Sequence, residues 1–162
     1  MAVSFRSHFL SGLGVVVLIA LFLLWLWQPE RQIERHTENL FRSIEHGNWS
    51  KLAELIESDY HDQWGHDRAG ILERVRDAFR FLRGMKLNHA PGAVKIENSH
   101  GRWVGKITLE TNDDEVARPI KVSINSLATP FELEWHHTSG KPWDWKLSRV
   151  TNPDLEIPPG GY

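Results

Sequence analysis

The sequence contains no cysteine. That excludes disulfides, thiolate metal sites and cysteine nucleophiles. It also lacks an excess of either charge. Arg6 is the only charged side chain ahead of Glu30, so residues 30–162 carry 18 basic and 21 acidic side chains, a net of −3. A balance so near neutral gives no general attraction to nucleic acid, and no nucleic-acid partner is expected. Internal repeats and low-complexity linkers are missing as well. What remains is ordinary globular composition, 41% apolar and 25% charged, over 162 residues. One domain with an appendage is the expectation.

The appendage is the N-terminal segment. After a short tail, 1–8, the run Phe9 to Trp27 (FLSGLGVVVLIALFLLWLW) is 19 residues without a charge. An α-helix of about 20 residues crosses a hydrocarbon core of about 30 Å. A helix buried in a small soluble domain is rarely apolar on every face. Trp25 and Trp27 stand at one end, where amphipathic rings favour the membrane interface. A cleaved signal peptide has a shorter apolar core and a small-residue cleavage site, and the run here ends in Leu24-Trp25-Leu26-Trp27. Residues 9–27 are therefore expected to be a transmembrane helix and signal anchor in contact with lipid. The short N-terminus would be cytoplasmic and the domain behind it periplasmic or otherwise extracytoplasmic.

Past the anchor, the pattern predicts three helices. The first spans 30–46, with Ile33, Leu40, Phe41 and Ile44 at helical spacing and Gly47 as a stop. The second is short, capped by Ser50, with Leu52, Leu55 and Ile56 inward. Asp59 to His66 is a loop. Asp67 caps the third helix, which runs to about Arg83 with Ile71, Val75, Ala78, Phe79 and Leu82 as its stripe and Gly84 as its end. Arg74, Arg76, Arg80 and Arg83 form a solvated face with Glu73 and Asp77 as partners.

After Gly84 the period shortens to 2. Val94 and Ile96 mark one strand. Trp103, Gly105, Ile107, Leu109 and Thr111 share a face of the next, which ends at a polar turn around Asp113 and Asp114. Ile120, Val122 and Ile124 mark a third. Phe131, Leu133, Trp135 and His137 mark a fourth, and Trp143, Trp145 and Leu147 a fifth. Such alternation is that of antiparallel strands with one core face and one wet face. The end, TNPDLEIPPGGY, reads as frayed, with 158–162 as a flexible tail. Helices first and strands afterwards predict an α+β fold, three helices packed on a curved antiparallel sheet.

This order resembles the NTF2-like superfamily, which includes SnoaL-like proteins and ketosteroid isomerase. The local likeness lies in Asp59-Tyr60-His61-Asp62-Gln63-Trp64-Gly65-His66-Asp67-Arg68, which precedes a helix. It lies also in the terminal hairpin from Phe131 to Val150, with Gly140, Trp143 and Trp145. The resemblance implies a cone-shaped domain over 30–157. It implies no reaction, because the superfamily holds isomerases, dehydratases, ligand binders and assembly modules.

The candidate residues follow from that cone. Trp64, Trp103, Phe131, Trp135, Trp143 and Trp145 are expected to line its pocket, as core, as a ligand cage, or as both at the rim. Tyr60, Asp62 and His137 are the candidate catalytic residues: a donor, a carboxylate, and a histidine on the face of Trp135. No second inward carboxylate completes an isomerase pattern. His61, Asp62, His66 and Asp67 cluster within seven residues, yet His-x4-His matches no standard ligand spacing. Capping and turn hydrogen bonds are expected of them, with no metal and no cofactor. The expected function is a membrane-anchored module for ligand binding or assembly, with a possible homodimer through the sheet. The alternative is a small isomerase- or lyase-type enzyme acting on an apolar ligand.

Overall fold

The computed structural model describes residues 4–82, 84–112, 115 and 117–156, with side chains from residue 13 onward. The end of the third helix at Arg83, the Asp113–Asp114 turn and the tail 158–162 lie outside the described residues.

Helix α1 (Ser4–Leu26) begins before Phe9 and so takes in much of the expected tail. Trp27 and Gln28 make the break, and Pro29 opens α2 (Pro29–Glu45) at the position where its missing N–H costs nothing. Among the described residues no single helix is long and apolar enough to cross a membrane; Leu13–Leu26 and Pro29–Glu45 pass that test only together, bent by 65°.

The apolar stripe of α2 is buried through Ile33, Leu40 and Phe41, and Gly47, at φ 62°, ends the turn that follows. The stripe lies on the sheet at very close range. A methyl group at Gly101 would stand 1.8 Å from the Ile33 Cδ1, so the helix rests directly on that strand backbone. Helix α3 (Trp49–Leu55) is capped by Asn48, whose side-chain oxygen accepts from the Lys51 N–H at 3.2 Å. Ser50 is therefore already inside the helix, because Asn48 offers the same kind of cap two residues earlier. Helix α4 (Arg68–Phe81) is capped as expected by Asp67, which accepts from Gly70 N–H at 2.8 Å. Arg68 turns back to α3 and donates to the carbonyls of Ala53 and Ile56, two of the groups a helix end leaves unpaired.

The strands fall into two sheets. A four-stranded antiparallel sheet has the order β2 (Ala93–Glu97), β3 (His100–Gly105), β5 (Phe131–His137), β6 (Trp145–Thr151). A separate pair joins β1 (Lys86–His89) to β4 (Ile107–Glu110). The expected single strand from Trp103 to Thr111 is thus two strands in two sheets, broken at Lys106. Gly105 allows the break, since its bare backbone also makes room for the Trp103 indole, which a Cβ there would meet at 2.4 Å. The final strand starts at Trp145, leaving Trp143 in the loop before it.

One expected strand is a helix. Residues Ala117–Asn125 form α5. Ile120 and Ile124 fit a period of 2, but as an i, i+4 pair they also fit a helix, and Ala117 joins them on its buried side. Val122, assigned to the same face by alternation, is 60% exposed. The helix pairs with β4 through Asn125, whose side chain accepts from Leu109 N–H at 2.7 Å and donates to Leu109 O at 3.0 Å. Among the described residues the domain accordingly packs four helices, not three, against antiparallel sheets.

The main core holds Ile33, Phe41, Leu52, Tyr60, Trp103, Leu133, Trp135 and Leu147 between helices and sheet. The outer edge of β6 is covered. Glu57 N–H donates to Leu147 O at 3.0 Å and His61 N–H to Ser148 O at 3.2 Å, so the segment after α3 occupies groups that an edge strand would leave open. Part of the expected frayed end is also fastened. Asn152 is fully buried, its side-chain oxygen accepting from the N–H groups of Asp154 and Leu155 and its amide donating to Thr129 O at 3.1 Å.

Candidate functional site

Among the described residues, chemistry-bearing side chains come together at several places. The first is the connection between α3 and α4. Asp62 is the centre of that loop. Its Oδ1 accepts from the backbone N–H of Trp64 at 3.0 Å and of His66 at 2.8 Å, and its Oδ2 accepts from His66 Nδ1 at 2.9 Å. The carboxylate is wholly buried and the imidazole nearly so. A carboxylate that accepts from three donors is satisfied, and its bond to His66 calls for the histidine tautomer with hydrogen on Nδ1.

Tyr60 stands beside this pair. Its hydroxyl is buried, and among the described residues no hydrogen bond of good geometry reaches it. Burial raises its pKa, and the Asp62 charge and a loose hydrogen bond toward the Asp62 carboxylate add to the rise. The phenol is therefore a neutral donor held against a carboxylate.

The other expected site residues lie elsewhere. His137 is at the end of β5, where Nε2 donates to Lys141 O at 2.7 Å and the ring lies 4.8 Å from that of Trp145. His136, on the opposite face, donates to Glu57 Oε1 at 2.7 Å and stacks on His100. The partners of His137 are thus on the hairpin, and those of Tyr60 and Asp62 are in the α3–α4 connection. His61 donates to Asp59 O at 2.6 Å and Asp67 caps α4. Among the described residues no group of three or more His, Asp or Glu is placed to hold a metal ion.

The aromatic set divides three ways. Trp103, Trp135 and Trp145 are core residues, each 3% exposed or less. Trp64 is half-buried and donates its indole N–H to Leu155 O at 2.8 Å, while Phe131 packs at the edge of the core. Trp143 is 52% exposed.

Trp143 belongs to the second place, an open cleft of about 300 Å³ where α1, α2 and the β5–β6 loop meet. Trp27, Gln32, Arg35, His36, Asn39 and Trp143 line it. The rings of Trp27 and Trp143 stand 6.4 Å apart at 51°. His36 donates from Nδ1 to Gln32 O at 2.8 Å and sets its ring edge against Trp135 at 5.8 Å. Burial holds its pKa below the ordinary value. Contacts to the Gln32 and Trp143 carbonyls oppose that shift, and the charges of Lys146 and Arg35 assist it. Sequence reasoning missed this cleft because α2 residues 32, 35, 36 and 39 read as a polar helix face. Only the bend between α1 and α2 turns that face toward Trp27.

No family model matches the chain, and no curated protein matches it in sequence. Solved structures match its fold. Bd1075 of Bdellovibrio bacteriovorus is similar at a TM-score of 0.57 and 10% identity over 75% of this chain, which spans only 38% of Bd1075. An NTF2-like protein from Cytophaga hutchinsonii is similar at a TM-score of 0.52 and 12% identity, covering 73% of this chain and 91% of that one. An NTF2-like protein of unknown function from Pseudomonas putida is similar at a TM-score of 0.55 and 10% identity, covering 75% and 82%. At these identities the likeness shows an NTF2-like α+β fold and no activity.

Proposed function

We propose that this NTF2-like chain is a membrane-anchored module for ligand binding or assembly, with the domain outside the cytoplasm and the short N-terminus inside. One observation carries the reading. From Leu13 to Trp27 the large apolar side chains that stand out from the fold are 40–67% exposed, among them Val16 at 61%, Leu18 at 67% and Leu24 at 64%. Burying one such side chain is worth about 1.5–3 kcal/mol, so a stretch left in water is strongly unfavourable and lipid is the natural cover. The apolar run in the sequence, Phe9–Trp27, extends beyond the side chains described. Trp25 and Arg31 fit the interface at its end, the guanidinium lying 3.5 Å from the ring centroid.

The packing of the core favours binding or assembly at the surface: Trp103, Trp135 and Tyr60 fill the interior between helices and sheet. Alkaline carbonate washing of membranes tests the anchor, and a reporter fused after Tyr162 tests its direction. Retention in the pellet with a reporter active only outside the cytoplasm is expected. Release into the wash, or a reporter active only in the cytoplasm, sinks the reading.

The buried Tyr60 hydroxyl facing Asp62 favours a second reading, a small isomerase- or lyase-type enzyme acting on an apolar ligand. On that reading Tyr60→Phe lowers turnover of such a ligand and leaves the melting temperature unchanged.

A further inference from the structure

We propose that the cleft between α2 and the β5–β6 loop binds a phosphoryl group, and that the group is the head of an anionic membrane lipid. The inference rests on the anchored reading and deepens it by naming what the module grips.

The cleft has two chemically different sides. On one side Arg35 is exposed and has no ion pair or hydrogen bond among the described residues. Its neighbour on the helix face, Glu38, is taken by Arg42 at 2.9 Å. A free guanidinium presents a planar fork that matches the oxygens of a phosphate, and the bonds it forms are charge-assisted. Asn39, one turn further along α2, adds a side-chain amide with no protein partner among the described residues. On the other side the indoles of Trp27 and Trp143 form apolar walls at the mouth. Trp27 is the first residue after α1, so these walls stand where the apolar helix leaves the domain.

An exposed cation and two indoles lining one cleft suit an amphiphile with a phosphoryl head. The volume of about 300 Å³ is at the small end for ligand sites, enough for a head group and not for a whole lipid. The acyl chains would remain in the bilayer beside α1. Basic residues beside a membrane anchor attract anionic head groups, and Arg31 and Arg35 stand at this end of the domain.

The full chain in nonionic micelles doped with dioleoyl phosphatidylglycerol or dioleoyl phosphatidylcholine, read by native mass spectrometry, tests this. The expected result is retention of phosphatidylglycerol over phosphatidylcholine by roughly tenfold. Arg35→Gln should abolish the preference and Arg35→Lys should keep part of it. Trp143→Ala should weaken retention without unfolding, since the side chain is half exposed. Unchanged melting of each variant separates lost binding from lost fold. Equal retention of both lipids, or an Arg35→Gln chain that holds phosphatidylglycerol like its parent, overturns the proposal. Inorganic phosphate that binds alone as strongly as the lipid assigns the cleft to a free anion and overturns the lipid source. The carbonate wash keeps the two readings apart. A chain that stays in the membrane pellet but shows no lipid preference loses the cleft and keeps the anchor. A chain that washes off yet shows the Arg35-dependent preference loses the anchor and keeps the cleft.

Discussion

Gln32 ties the end of α1 to α2: its Nε2 donates to the Leu26 carbonyl at 2.7 Å, and the side chain is 3% exposed. The last carbonyls of a helix have no partner within it. Here one of them is satisfied from the next helix, across the bend, by an amide six residues later.

Gln32→Ala should therefore loosen the junction. The variant loses a buried hydrogen bond and strands a carbonyl, which costs about 1–3 kcal/mol. Distances between spin labels on α1 and α2 should broaden, and the urea midpoint of the full chain in detergent should fall. A narrow, unshifted distance distribution would show that something else sets the angle.

Gly101→Ala should destabilise by about 1–3 kcal/mol, the usual range for overpacking a tight contact. The new methyl would stand 1.8 Å from Ile33 Cδ1. Ile33→Val shortens that side chain and should recover part of the loss, so the double variant is more stable than the sum of the two singles. Simple additivity in denaturant titrations would place the contact elsewhere.

Tyr60→Phe removes a buried hydroxyl that makes no close hydrogen bond among the described residues and only faces the Asp62 carboxylate. Because that group contributes desolvation cost without a compensating bond, the variant should melt at the same temperature or higher. A hydroxyl kept for catalysis would instead leave a stable variant with reduced turnover of an apolar ligand. A drop in melting temperature would show that the hydroxyl has a structural partner after all.

His36 should make stability fall in mild acid. Burial sets its folded pKa below the ordinary 6.5, against the pull of the Gln32 and Trp143 carbonyls and with help from Lys146 and Arg35. Between those two values the unfolded chain binds a proton that the folded chain does not. Stability from this group is thus full above the unfolded pKa and declines as pH drops through the window beneath it. His36→Gln should flatten the decline in melting temperature below about pH 6.5, while leaving the curve above pH 7 parallel to the parent's. Identical slopes for the two chains would refute the assignment.

The helices were legible because their signals are local. Asp67 and Gly47 mark boundaries that depend only on neighbours within a turn, and the Ile33–Leu40–Phe41 stripe repeats at one spacing. The strands from Val94 and Phe131 were legible for the same reason. The segment Ala117–Asn125 was not, because Ile120 and Ile124 satisfy both periods and the choice is made by Leu109, far away in sequence, through Asn125. The division at Lys106 is likewise tertiary: both halves alternate correctly, and only their partners differ. Of the candidate site residues, Tyr60 and Asp62 could be paired on the page because they are two apart. His137 could not be excluded from their company, since its neighbours depend on how the hairpin closes. Arg35 and Asn39 gave no signal at all, being ordinary polar positions until the chain turns at Gln28.

The bend of 65° between Leu13–Leu26 and Pro29–Glu45 makes α1 and α2 a crank. A straight coupling would pass a push along the rod as a push on the domain. An elbow of that angle does not carry the axis of α1 into the domain, and it sets the Gln32–His36 side of α2 opposite Trp27 and Trp143.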